Sequence, residues 1–275
     1  MTAAASTPAA GGVKTPGFLQ DLSSEWAKMS TWRSIRWGFL LAVVLSIAMS
    51  GLIAIVIGAT YDDWSPAQQA DFDPGLFALN GIVASLIAFS VLGAMAATSE
   101  YSSGMIRLTF TVTPRRGRVL LAKALLVAAI TMVGGLISVF GMFLVGQLAF
   151  SVSGVETVGF ADDGVPRMLL GVGLLMPVFP LLGVAIGFLL RSTAGAITAV
   201  LVLLWVPEIF GPLLPTWWQE NCVSLLPGPA MDSVAIGHVV DSATFTPPLV
   251  GATITAVWIV GSLSLAYVVL RRRDA

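Results

Sequence analysis

The stretch that decides the fold is residues 37–59, WGFLLAVVLSIAMSGLIAIVIGA, which contains no charged side chain. A helix that crosses a bilayer needs about 20 mostly apolar residues. This run is apolar on every side rather than striped, as expected where lipid and neighbouring helices surround it. Five further runs share its character, at about 76–98, 119–150, 168–190, 194–214 and 250–270, interrupted only by Lys123 in the third and Glu208 in the fifth. Strands of a membrane barrel would instead alternate in short segments. The predicted fold class is therefore an all-α membrane protein with six transmembrane helices. The first run is too long for the apolar core of a signal peptide and no A-x-A site follows it, so it is expected to be retained.

Composition agrees. The 275 residues are 56% hydrophobic and 11% charged, with a mean hydropathy of +0.90. A soluble chain carries roughly 25% charged residues, so an ordinary soluble enzyme is excluded. The net charge of -1 suggests neither nucleic acid nor an acidic substrate. One cysteine, Cys222, and one histidine, His238, exclude a disulfide framework, a multi-thiolate metal site and a histidine cluster, and both are read as structural.

Threading the chain through six spans separates the charges by side. With the N-terminus inside, Lys14, Lys28, Arg33, Arg36, Arg107, Arg115, Arg116, Arg118, Lys123, Arg191, Arg271, Arg272 and Arg273 fall on or near the cytoplasmic face, and only Arg167 falls outside. The positive-inside rule then puts both termini in the cytoplasm. Residues 1–17, rich in Ala, Thr, Pro and Gly, read as a disordered tail. In 18–36, Phe18, Leu22, Trp26, Met29 and Trp32 recur at helical spacing with Asp21, Glu25, Lys28 and Arg33 between them, which predicts an amphipathic interfacial helix feeding the first span.

The loop after the second span, 99–118, carries more chemistry than a linker needs. Glu100 suits the first turn of a short helix, Gly104 permits close backbone approach, and Met105, Ile106, Leu108 and Phe110 form an apolar surface beside Arg107, Arg115, Arg116 and Arg118. Pro114 ends that element. Such a segment suits docking, although the arginines alone also suit topology and anionic headgroups. The fourth and fifth spans are joined by little more than Arg191-Ser-Thr193, a tight hairpin, whereas 215–248 is long, carries Trp217 and Trp218, and is broken by Pro227, Gly228 and Pro229. That segment is expected to form re-entrant or interfacial helices on the outer side. Pro177, Pro180 and Pro207 imply kinks in spans four and five. Glu208 lies about 21 Å along its span at about 1.5 Å per residue. It is either a functional carboxylate at the outer mouth or a group reaching interfacial water.

These features together resemble the permease subunit of type-2 ATP-binding-cassette exporters over essentially the whole chain. The resemblance rests on Ser24-Glu-Trp-Ala-Lys28 in the approach helix, Glu100-Tyr-Ser-Ser-Gly104 and Thr113-Pro-Arg-Arg116 in the loop, the tight turn, and the interrupted outer segment. It implies that a coupling helix within 100–116 contacts an ATPase through Glu100, Tyr101, Gly104, Arg107, Pro114, Arg115 and Arg116, with Glu25, Trp26 and Lys28 on the interfacial helix. It further implies a pathway lined by spans two and five, where Ser85, Phe89, Ser90, Thr198 and Trp205 are candidates, with Glu208 at its mouth. No G-x-x-x-x-G-K-[ST] phosphate loop occurs. The chain is thus expected to be no enzyme and to bind no metal or cofactor, ATP and Mg being held by a separate ATPase subunit. A second permease copy, identical or related, and membrane lipids are the other expected partners, with no nucleic acid. The implied activity is export of a hydrophobic or amphipathic drug, lipid or natural product by alternating access across a bacterial cytoplasmic membrane. An intramembrane enzyme is disfavoured because no G-x-S-x-G or H-E-x-x-H motif and no paired intramembrane carboxylates occur. A non-transporting anchor or assembly protein fits the docking loop, but leaves the proline-bearing spans and Glu208 unexplained. A secondary transporter would show repeated broken helices, which the two halves lack.

Overall fold

The computed structural model describes residues 17–105, 116–236 and 243–272. Helix α1 (Phe18–Thr31) is separated from α2 (Arg33–Thr60) by Trp32, whose extended backbone (φ -74°, ψ 116°) breaks the run. Short helices α3 (Pro66–Ala70) and α4 (Pro74–Phe77) precede α5 (Ile82–Ser102), and α6 (Arg116–Val152) follows. Then come α7 (Val165–Leu175), α8 (Val178–Leu190), α9 (Thr193–Phe210), α10 (Thr216–Asn221), α11 (Pro227–Ala235) and α12 (Pro248–Arg272). Six segments are long and apolar enough to cross a membrane: Arg33–Asp63, Ile82–Ser102, Arg116–Val152, Val165–Leu190, Thr193–Leu213 and Pro248–Arg272. The described residues contain no strand.

Two boundaries differ from the sequence runs for local reasons. The second run starts at Leu76, but Asp73 caps α4 by accepting from the N–H groups of Gly75 and Leu76 (2.8 and 3.1 Å). A turn then carries the chain to Gly81, where a Cβ would sit 2.0 Å from the Ser46 carbonyl oxygen. The span therefore begins at Ile82. The fourth run divides at Met176-Pro177 into α7 and α8, because proline lacks the N–H that would continue the ladder. Helix α9, by contrast, continues through Pro207.

At about 1.5 Å per residue α6 is roughly 55 Å long, well beyond a hydrocarbon layer of about 30 Å. Its ends must project, and they do different work. The start meets α1 and the end of α12, which defines the proximal end of the bundle. The far end holds the loops between spans: Gln147 donates to the Pro74 carbonyl (2.8 Å) and accepts from the Val158 N–H (2.9 Å). There Tyr61, Trp64, Phe72, Phe77 and Phe150 pack in tilted and edge-to-face pairs with centroids 4.9–6.4 Å apart.

Small residues bring the helices together, as membrane packing requires when lipid tails compete with apolar side chains. Helices α5 and α8 touch backbone to backbone: a Cβ on Gly93 would lie 2.1 Å from the Pro180 carbonyl oxygen, and one on Gly183 would lie 2.9 Å from that of Ser90. Phe89, Met142, Phe143, Met176 and Phe179 fill the main core, and Met29, Leu120, Val127, Phe188 and Leu270 form a second one towards the proximal end. Trp37, Leu52, Ile55, Ile137, Leu148, Val257 and Val260 are exposed on the outside of the bundle, the pattern of a surface solvated by lipid.

Candidate functional site

On α1, Asp21, Glu25 and Lys28 are spaced i, i+4, i+7 and so share one face. That face points inward. Asp21 and Glu25 are buried together with Met29, while Leu19 and Trp26 are exposed. The amphipathic helix thus presents its acids, rather than its tryptophan, to the bundle. The cause is Lys123, a cation about two turns inside the apolar α6, which is 2% exposed and needs a counter-charge.

Lys123 Nζ donates to Glu25 Oε2 at 2.7 Å and to Glu100 Oε1 at 3.0 Å, and Lys28 Nζ reaches the same Glu100 oxygen at 3.2 Å and bonds Glu25 Oε1 as well. Two carboxylates and two ammonium groups therefore close a neutral cluster joining α1, α5 and α6. Arg118 extends it towards Asp21 at 4.0 Å. Burial alone would push Lys28 down, but the bonds and charges of Glu25 and Glu100 outweigh it and hold the ammonium above its ordinary value. Removing one member of such a cluster leaves an uncompensated buried charge.

The same end of α5 is clasped from the other side. Arg191 takes a left-handed backbone (φ 53°) at the end of α8 and places its guanidinium 5.4 Å from the Tyr101 ring centroid, while Phe188 meets that ring edge-on at 6.1 Å. Thr193 donates to the Thr98 hydroxyl oxygen at 2.9 Å. Across the intervening segment, Arg116 Nη1 donates to the Leu270 carbonyl at 2.8 Å and ties α6 to the end of α12. Both ends of the loop singled out in the sequence are therefore fastened. Gly104 has a left-handed backbone (φ 70°) with open space around it, and Met105 is exposed. Arg107, Pro114 and Arg115 lie outside the described residues, as do residues 1–16 of the tail and His238.

Towards the distal end, a cavity of about 180 Å3 lies between α5, α7, α8, α9 and α11. Trp205 and Glu208 line it along with Leu86, Phe179, Leu204 and, from α11, Asp232. Desolvation by the surrounding helices, and secondly the neighbouring charge of Glu208, push the Asp232 carboxyl up to about 6, while the residue keeps an exposed face at the cavity edge. Ser85, Phe89 and Ser90 instead lie buried in the bundle: Ser85 bonds the Ala42 carbonyl (3.4 Å), Ser90 that of Leu86, and Phe89 packs against Phe39 at 5.9 Å. Thr198 is exposed on α9. The sequence reading left out Lys123 as a partner for Glu25 and Glu100, and Asp232 as a partner for Glu208. For the first, the signal was a lone lysine in an apolar run. For the second it was weaker, one acid in a proline-broken segment.

The family described as ABC-2 family transporter protein matches residues 22–206, two thirds of the chain. The chain belongs to the ABC-2 transporter family. ABC-2 proteins are the permease component of their transporters, and they generally pair with an ABC ATPase subunit. The matched range takes in Glu25, Lys28, Glu100 and Lys123, so the whole ionic cluster sits within the ABC-2 permease core. Glu208 falls just beyond it, and Asp232 lies well outside it. Among curated proteins none matches the sequence. Six apolar helices and this membership make the chain a multi-pass integral membrane protein.

Proposed function

We propose that this chain is the permease of an exporter that moves a hydrophobic or amphipathic cargo by alternating access, driven by a separately encoded ATPase. The observation that carries this reading is the neutral cluster of Glu25, Lys28, Glu100 and Lys123, which fixes α1, α5 and α6 to one another at the proximal end of α5, next in sequence to the 103–115 segment. An ATPase pushing on that segment meets a rigid foot rather than a frayed helix end. The excess of Lys and Arg at the proximal end supports a cytoplasmic location for it, with α10 and α11 as interfacial or re-entrant helices on the outer side and the Glu208 cavity towards the outer mouth. Two copies, identical or related, would enclose the pathway, and ATP with Mg would be bound by the ATPase pair. The membrane is taken to be the bacterial cytoplasmic one.

ATP-driven closure of the ATPases would push the coupling segments together, and α5 would carry the displacement into the pathway. The test is to change Glu100→Gln and Arg107→Ala in the purified permease–ATPase complex and to measure hydrolysis and transport in proteoliposomes. Hydrolysis should persist while transport falls at least tenfold. Unchanged coupling in both variants would remove the docking assignment.

A further inference from the structure

The chain breaks at Trp32 between α1 and α2, and a groove of about 570 Å3 opens at that break against α6. Met29 of α1, Ile35 and Phe39 of α2, and Ile130 and Val133 of α6 make its walls apolar, and the exposed Arg36 stands at its rim. Met29 and Ile35 are buried and close the groove on the bundle side, whereas Val133 is half-exposed and leaves it open outward. Phe39 rests on Gly134, where a Cβ would lie 2.6 Å from the ring, so the floor of the groove is pressed directly onto the α6 backbone. The uncharged run of the first span begins at Trp37, immediately after Arg36. The groove therefore runs inward from the level at which that span enters the membrane.

Arg33 and Arg36 are three residues apart at the start of α2 and share one face of the helix. Both are exposed, and among the described residues neither guanidinium has a hydrogen bond or an ion pair. The acids of this end are engaged elsewhere: Glu25 and Glu100 hold Lys28 and Lys123, and Asp21 faces Arg118. The mouth of the groove thus carries two positive charges that no described residue balances. Planar guanidinium forks favour a phosphate, which they bind by paired N–H donors. Trp26, which lines the groove from α1, is more than half exposed, as suits a side chain at headgroup level. A volume in the range of small-molecule sites, with one cationic end and one apolar end, fits an anionic molecule that carries a hydrocarbon chain.

We propose that this groove is a binding site for one anionic phospholipid, its phosphodiester held by Arg36 and Arg33 and an acyl chain laid against Phe39, Ile130 and Val133. Basic pockets between spanning helices are where anionic lipids lodge. The occupant is a lipid rather than a soluble phosphate because the walls beyond Arg36 are apolar. It is a lipid rather than a second identical permease because a two-fold contact sets a patch against its own copy, which would bring the uncompensated arginines of both copies together. The position has a consequence. The lipid touches α1 at Met29, one residue beyond Lys28 of the ionic cluster, and so seats the last turn of α1 against α2 and α6 next to the break.

The test is native mass spectrometry of the purified full chain released from bilayers of phosphatidylglycerol mixed with phosphatidylcholine. Phosphatidylglycerol should be retained in preference. The double variant Arg33→Gln/Arg36→Gln should weaken that retention about thirtyfold, at about 1 kcal/mol for each headgroup-facing arginine. Arg167→Gln, an exposed arginine at the other end of the bundle, should keep the preference and so controls for bulk charge. Val133→Trp, which fills the groove and leaves every arginine in place, should also lose the lipid. Equal retention of the two lipids, or undiminished retention in the double variant or in Val133→Trp, would overturn the proposal. So would binding of water-soluble glycerophosphoglycerol as tight as that of intact lipid. A disulfide between two copies through Val133→Cys, made with Cys222→Ser, would also overturn it and assign the groove to a second permease.

Discussion

Replacing Lys123 by methionine is the sharpest probe of the proximal cluster. Methionine keeps most of the volume and removes the charge, leaving Glu25 and Glu100 buried with Lys28 as their sole ammonium partner in the cluster. Breaking a buried pair by deleting one partner costs about 3–5 kcal/mol. Lys28 still holds both carboxylates, so the low end, about 3 kcal/mol, is the expected loss. Much of it should appear as detachment of α1, because the Lys123–Glu25 bond crosses from α6 to α1. Local opening of α1 should then become about 150-fold more frequent. Hydrogen exchange of the amides between Leu22 and Met29 reads this directly, with α2 as an internal reference. The matching change at Lys28, whose side chain is 24% exposed, should cost less than the change at Lys123, since water reaches the vacated position and partly solvates the carboxylates left behind. If the two lysines proved equivalent, or if exchange in Lys123→Met rose equally in α1 and α2, the idea of a local latch would be refuted. The double change of Glu100→Gln and Lys123→Met should recover most of the protection, since it leaves the Glu25–Lys28 pair in charge balance.

Asp232 should titrate near pH 6 by 13C NMR of its carboxyl, and Glu208→Gln should move that value down part of the way towards 3.8, because burial is the larger cause and remains. Between 3.8 and 6 the folded chain holds this proton more tightly than the unfolded one, so the group favours folding at low pH and that contribution is lost as pH rises through 6. Thermal melts of wild type and Asp232→Asn should converge on acidification and separate above pH 6, the variant being the more stable there. Gly93→Ala should destabilise the chain by about 1–3 kcal/mol through overpacking, seen in unfolding from detergent, since its Cβ would enter the Pro180 carbonyl; Gly38→Ala, with no atom within 4 Å, should cost nothing. Gln147→Leu strands the Pro74 carbonyl and the Val158 N–H and should cost about 1–3 kcal/mol, with the faster exchange confined to the distal loops.

The six spans were legible because a bilayer imposes length and hydrophobicity on any helix that crosses it, and both are local properties of the chain. The foot of α5 was partly legible: Glu100 stood out as an acid beside an apolar run. Its partners were not, since Lys123 is 23 residues away and Glu25 is 75, and pairing across helices leaves no periodic mark. The orientation of α1 shows the limit most clearly. Spacing gave a two-faced helix but not which face turns inward, and ordinary hydrophobic reasoning would bury Trp26 and expose Glu25. In a membrane both faces have apolar neighbours, so one cation on α6 decides the matter. The pairing of Asp232 with the Glu208 cavity likewise depended on how α11 folds back over α9, which a proline-broken segment does not encode locally.

The glycine seam between α5 and α8 sets the mechanical character of the molecule. Where side chains separate two helices, rotamers can yield and absorb a displacement; where carbonyl oxygen meets Cα, nothing soft lies between. Helix α5 starts at Ile82, Val83 and Leu86 in the wall of the carboxylate cavity and ends at Glu100 in the ionic cluster. Its 21 residues make a strut of roughly 30 Å, splinted midway by a partner that cannot compress. A shift imposed at one end should therefore reach the other with little loss, and the stiffness that would couple the two ends is written in residues that have no side chain at all.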